Sequence, residues 1–120
     1  MAANILIVDD DHNIRRVLRN MLERAGYQIE EATNGEEALL WCRRTPFDLI
    51  TMDMSMGKID GVDTVAILQN EIHTPIVVIS AHLTREIRQE LSLRKIKYLL
   101  PKPFTQAAVL ETIHSALSQS

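Results

Sequence analysis

The sequence predicts an α/β domain: five β/α units forming a three-layer sandwich around a parallel sheet. Three observations lead there. Short aliphatic runs alternate with segments of helical periodicity along the whole chain. Two of the runs, Ile5 to Val8 and Ile76 to Ile79, are continuous rather than alternating, as strands covered on both faces read. Polar residues collect where the runs end: Asp9 and Asp10 after the first, Asp53 after the third, Ser80 after the fourth and Lys102 after the fifth. In open parallel sheets, ligands bind outside the carboxyl ends of the strands.

The elements follow in order. Strands are expected at Ile5 to Val8, around Ile29, at Asp48 to Met52, at Ile76 to Ile79 and at Tyr98 to Leu100. Between the first two, Ile14, Val17, Leu18, Met21, Leu22 and Ala25 fall at helical spacing, and Gly26 stands where a left-handed cap is expected. The second helix starts at Asn34, with Glu37 three residues on as in a capping box, and ends before Pro46. A third helix is expected from about Asp60 to Glu71, a fourth from Thr84 to about Leu93, and a fifth from Thr105 through Leu117.

Composition narrows the function. At 120 residues the chain reads as a single domain, residues 1–120, able to bury roughly two-thirds of its unfolded surface. Its single cysteine, Cys42, cannot form an internal disulfide and suits a reducing compartment, so a cytoplasmic location is expected. No apolar run approaches the roughly 20 residues that span a bilayer, and Met1-Ala2-Ala3-Asn4 lacks the basic start of a signal peptide. A net charge of -3, with no basic cluster beyond Arg94-Lys95-Ile96-Lys97, argues against direct nucleic-acid binding.

If the first and third strands are neighbours, Asp9, Asp10 and Asp53 share one crevice. Two charges about 4 Å apart at an effective dielectric near 20 repel by roughly 4 kcal/mol, and Lys102 offsets only one of them. A hard divalent ion answers that repulsion, and Mg²⁺, which takes one or two carboxylates and keeps several waters, fits an open crevice. A carboxylate beside Mg²⁺, with a lysine and a hydroxyl nearby, is also equipment for accepting a phosphoryl group. Asp53 is the nucleophile candidate, with Asp9 and Asp10 on the metal and Ser80 and Lys102 on the phosphoryl oxygens. Asp11 reads as a helix-start residue. His12 is a poor Mg²⁺ ligand, and Trp41 and Cys42 read as packing residues.

The stretches ILIVDD, DLITMDMSMGKIDG, PIVVISA and YLLPKPF, in this order and spacing, resemble the receiver domain of bacterial two-component response regulators. The resemblance covers essentially the whole chain. It implies a flavodoxin-like (βα)5 fold with strand order 2-1-3-4-5, and a signalling role rather than that of a turnover enzyme. It implies that Asp53 takes phosphate from a sensor histidine kinase or a histidine phosphotransfer protein. Asp10, Asp53 and the backbone carbonyl of Ser55 would ligate Mg²⁺, with Asp9 acting through water. Ser80 and Lys102 would contact the phosphoryl oxygens, helped by the amides of Met54 and Ala81, and Lys102-Pro103 would be cis. Phosphorylation would then shift Ser80 and the face of the fourth helix, fifth strand and fifth helix, passing the signal to a downstream effector domain or protein. The resemblance leaves open a phosphorylation-dependent dimer, and implies no contact with membrane.

The match has departures. Gly57 replaces a proline common in the family. The switch aromatic three residues before the lysine is here Leu99, with Tyr98 one place early and so on the opposite face. Either Leu99 serves as the switch or a bulge restores the tyrosine; the first is preferred. Ser55 and His82, two places after the acceptor and the hydroxyl, are expected to set the rate of phosphoryl hydrolysis. The rival is a small haloacid-dehalogenase-type phosphatase, whose Asp-x-Asp motif Asp9 and Asp11 satisfy literally. It leaves Asp53 idle and wants a further acidic motif after Lys102, where only Glu111 follows. A flavodoxin-type electron carrier shares the architecture but wants a Ser/Thr/Gly-rich loop after the first strand.

Overall fold

A computed structural model of the protein describes residues 2–54 and 61–118. The expected start of the third helix at Asp60, and the loop positions Ser55 and Gly57, lie outside them. Five strands, β1 (Asn4–Val8), β2 (Gln28–Ala32), β3 (Leu49–Asp53), β4 (Ile76–Ser80) and β5 (Tyr98–Pro101), form one sheet in the order β2-β1-β3-β4-β5, every pair parallel. The helices alternate with them: α1 (His12–Arg24), α2 (Gly35–Arg44), α3 (Gly61–Glu71), α4 (Arg85–Leu93) and α5 (Gln106–Ser118). No described helix is long and apolar enough to cross a membrane.

The continuous aliphatic runs are covered on both faces because side chains alternate across a strand. Leu6, Val8, Ile50, Met52, Ile76 and Val78 pack with Ala38 of α2, Val65 and Leu68 of α3 and Leu91 of α4. Ile5, Ile7, Leu49, Val77 and Ile79 pack on the other side with Leu18 and Leu22 of α1 and Val109, Ile113 and Ala116 of α5. That is the expected three-layer sandwich, with β1 and β3 side by side at its centre.

Local signals place the helix ends. Asp11 caps α1, its carboxylate accepting the N–H groups of Asn13 (2.8 Å) and Ile14 (3.4 Å). Gly26 follows with φ 98°, the left-handed conformation that lets the chain turn back into β2. Asn34 caps α2, but Glu37 does not close a box onto it. Its carboxylate accepts from the N–H (2.6 Å) and hydroxyl (2.7 Å) of Thr33, one residue earlier. Trp41 is a packing residue: its indole N–H donates to the Glu31 carbonyl at 3.1 Å, and its ring meets Phe47 edge-on.

The β4–β5 register is regular, Val77 opposite Tyr98 and Val78 opposite Leu99, so no bulge exchanges the two. Tyr98 lies on the α5 side and donates its hydroxyl to the Ser115 carbonyl at 3.3 Å. Leu99 packs on the opposite side, with the core that includes Ile87 and Leu91 of α4.

Candidate functional site at the carboxyl edge of the sheet

β1 and β3 deliver their carboxylates to the same edge because they are adjacent and parallel, Val8 pairing with Met52. Asp9 and Asp53 are buried, at 1% and 3% exposure, while Asp10 is exposed. Each of the three offers a carboxylate oxygen, and these oxygens lie within 4.8 Å of one another. Lys102 enters from the loop after β5, its Nζ 3.0 Å from Asp53 Oδ2 and 3.6 Å from Asp9 Oδ2. The Lys102-Pro103 peptide is cis, and the Lys102 N–H donates to the Ser80 carbonyl at 2.9 Å. Ser80 is buried at the end of β4, next to β3, and its Oγ accepts the His82 N–H at 3.0 Å.

The electrostatics show what the cluster lacks. Burial, reinforced by the nearby Asp53 charge, pushes the Asp9 carboxyl up from its usual 3.8 to about 6, against the pull of the Asp11 N–H and Lys102. Burial works against the Lys102 ammonium too, but hydrogen bonding and attraction from Asp53 and Asp9 outweigh it and raise its pKa. One lysine therefore leaves the three carboxylates under-compensated. A hard cation with oxygen ligands fits that donor set, since it would meet the negative charge that Lys102 leaves over.

Behind the acids lies a support that the sequence did not disclose. The Arg15 guanidinium donates to the Asp9 carbonyl at 2.7 Å and to Glu31 Oε1 at 2.9 Å, and Glu31 also receives Arg19 at 2.6 Å. Burial works against the Glu31 charge, but Arg19 and Arg15 outweigh it and hold its carboxyl below the usual range. The α1 cap does place Arg15 one turn beyond Asp11, which was a readable signal. Its pairing with Glu31 depends on the register of β1 with β2, in which Ile7 faces Glu31, and that was not.

One expected assignment changes, and one holds. The Met54 N–H donates to the Ile79 carbonyl at 3.1 Å, extending the β3–β4 pairing, so it is not carried forward as a phosphoryl contact. Asp11, the second acid of the phosphatase motif, has its carboxylate engaged in capping α1. The Ser55 carbonyl lies outside the described residues.

Comparison with known proteins agrees with this geometry. The profile of the response regulator receiver domain matches residues 5–114. The transcriptional regulatory protein ResD of Bacillus subtilis is 33% identical over 116 residues, which are 97% of this chain and 48% of that protein. SrrA of Staphylococcus aureus is 31% identical over 120 residues, 100% of this chain and 50% of its own length. The chemotaxis response regulator CheY4 of Vibrio cholerae superposes with a TM-score of 0.88 at 30% identity, covering 97% of this chain and 99% of that one. A CheY-like receiver domain protein from Methanospirillum hungatei, at 22% identity and a TM-score of 0.91, covers 99% and 96% and speaks for the fold alone. The chain belongs to the receiver domain family of the response regulators, and its role is in signal transduction. It spans about half the length of the curated relatives it matches.

Proposed function

We propose that residues 1–120 act as one receiver domain in which Asp53 is the phosphoacceptor. The observation that carries this reading is the placement of the Asp53 carboxylate: buried at the end of β3, 3.0 Å from the Lys102 ammonium and grouped with Asp9 and Asp10. The donor is the phosphohistidine of a sensor histidine kinase or a histidine phosphotransfer protein. An Asp53 carboxylate oxygen attacks phosphorus, the new O–P bond forms as the N–P bond breaks, and the electron pair of that bond returns to the imidazole nitrogen. Lys102 moves from neutralising the carboxylate to neutralising the phosphoryl oxygens, and the Ser80 hydroxyl hydrogen-bonds one of them.

Mg²⁺, when bound by Asp10, Asp53 and the Ser55 carbonyl, with Asp9 acting through water, supplies charge neutralisation at those oxygens. Hydrolysis of the acyl phosphate resets the domain, so its chemistry is that of a switch rather than a turnover enzyme. An apolar groove beside Lys102, lined by Ile14, Val17, Ala81, Pro103 and Phe104, suits the donor's docking, because it adjoins the acceptor and Val17 is already 42% exposed there. Engaging Ser80 with the phosphoryl group draws on β4, whose outward neighbour β5 presents Leu99 to the α4 side. Leu99 is thus the aliphatic switch residue, and α4, β5 and α5 form the face read by a downstream effector domain or protein. A cytoplasmic location accords with these partners.

The test is incubation with Mg²⁺ and acetyl phosphate followed by intact mass measurement. One base-labile phosphoryl addition is expected, absent in Asp53→Asn. Unchanged addition to that variant would overturn the assignment.

A further inference from the structure

The basic run Arg94-Lys95-Ile96-Lys97 has no part in the phosphoacceptor chemistry. It sits just before β5, at the amino edge of the sheet and so at the opposite end from Asp53. A cavity of about 430 Å³ opens there, a size that suits a small ligand. Ile72, Ile76, Ile96 and Tyr98 give it an apolar wall, and His73, Arg94, Lys95 and Lys97 are among its lining while, among the described residues, no Asp or Glu is. The wall is fixed: the Tyr98 hydroxyl is tied to the Ser115 carbonyl, and the Gln69 amide donates to the Arg94 carbonyl at 3.0 Å, joining α3 to the α4–β5 loop.

Two features mark the cations as more than a solvated loop. Among the described residues, no ion pair neutralises Arg94, Lys95 or Lys97, so three cations one to three positions apart in the chain border the cavity with their charge uncompensated. Lys95 also occupies the left-handed turn that ends α4, with φ 63°, where the N–H groups of Lys95 and Ile96 return to the carbonyls of Ser92 and Leu91. Glycine suits that backbone best. A lysine kept in a conformation that disfavours any Cβ points to a use for its side chain.

We propose that this cavity binds a small organic anion, an aryl or alkyl acid. Its apolar body lies against Ile72, Ile76, Ile96 and Tyr98, and its carboxylate, sulfonate or phosphate is held by Arg94, Lys95 and Lys97. The site is independent of the phosphoacceptor reading, since it shares no residue with the acid cluster.

The test uses the 120-residue chain and two probes of the same aromatic body, 8-anilinonaphthalene-1-sulfonate and the neutral N-phenyl-1-naphthylamine. The sulfonate is expected to saturate one site and to shift the backbone amide resonances of residues 72–76 and 94–98. The neutral probe should bind about tenfold more weakly. In Lys95→Gly/Lys97→Gln, sulfonate affinity should fall about tenfold, roughly threefold for each surface charge removed. Lys95→Gly alone should fall about threefold while its thermal midpoint rises, because glycine relieves the backbone, so lost folding cannot mimic lost binding. Equal affinity of the two probes, an unchanged double variant, or shifts centred on Val17 and Phe104 would each overturn the proposal. So would shifts at residues 94–98 with poly-glutamate but none with the dye, which would indicate an acidic protein partner instead.

Discussion

Replacing Asp9 with asparagine should stabilise the metal-free protein. The Asp9 carboxyl is buried, and its pKa rises from 3.8 to about 6 mainly because burial disfavours its charge, with Asp53 adding repulsion. Above both values, that difference corresponds to a destabilisation of about 3 kcal/mol carried by the charged form. Asparagine removes the charge and keeps an oxygen for the Asp11 N–H, which Asp9 Oδ1 accepts at 2.9 Å. It gives up the weaker contact to Lys102, at 3.6 Å, while Lys102 retains Asp53. A net gain of about 1–2 kcal/mol at pH 7.5 is therefore expected. The sign fixes the pH window. A raised carboxyl pKa means that the folded state binds the proton more tightly than the unfolded chain does. The Asp9 contribution to stability should thus fall as pH rises from about 4 to about 6, and the variant's advantage over wild type should grow over the same interval. Urea unfolding in the presence of a chelator, at pH 4 and pH 7.5, measures both. Adding Mg²⁺ should then narrow the difference, since a ligand that binds only the folded state stabilises the form with the intact acid set more. A variant no more stable than wild type at pH 7.5, or with an equal gain at pH 4, would refute the reasoning.

Gly35 opens α2 against α3, and a Cβ placed there would lie 2.5 Å from Thr64 Cγ2. Gly35→Ala should cost about 1–2 kcal/mol in urea unfolding, and adding Thr64→Ser, which deletes that methyl, should recover most of it. Among the described residues, the buried Thr51 hydroxyl has no hydrogen-bond partner. The nearly isosteric Thr51→Val should raise the thermal midpoint through a gain of about 1 kcal/mol, and a lowered midpoint would contradict the packing described. Exposed His82, whose N–H donates to Ser80 Oγ, lies two residues beyond the hydroxyl proposed to hold the phosphoryl group. His82→Ala should change the lifetime of the acyl phosphate measured by intact mass over time, and an unchanged lifetime would remove His82 from that role.

Local chemistry was legible where the residues that act are neighbours in the chain. The Asp11 and Asn34 caps, the left-handed Gly26 turn and the doubly buried runs of β1 and β4 follow from propensity and periodicity, which need no distant partner. The collection of Asp9, Asp10, Asp53, Ser80 and Lys102 at one edge also followed, because parallel strands end on the same side. Even the different faces of Tyr98 and Leu99 came from strand alternation alone, once no bulge intervened.

What depended on the tertiary structure were the contacts between segments far apart in sequence. The Met54 amide goes to Ile79 because β3 continues its pairing with β4 one residue further. The Arg15 clamp on Asp9 needs Glu31, brought alongside by the register of β1 with β2, in which Ile7 faces Glu31. The basic run before β5 acquires a cavity only when α3, α5 and two loops converge on it. Sequence determined which residues carry charge, cap helices and end strands, since those are properties of single residues and short spacings. Burial decided the rest: it turned one of three adjacent aspartates into an acid titrating near 6, and left three cations facing an apolar wall.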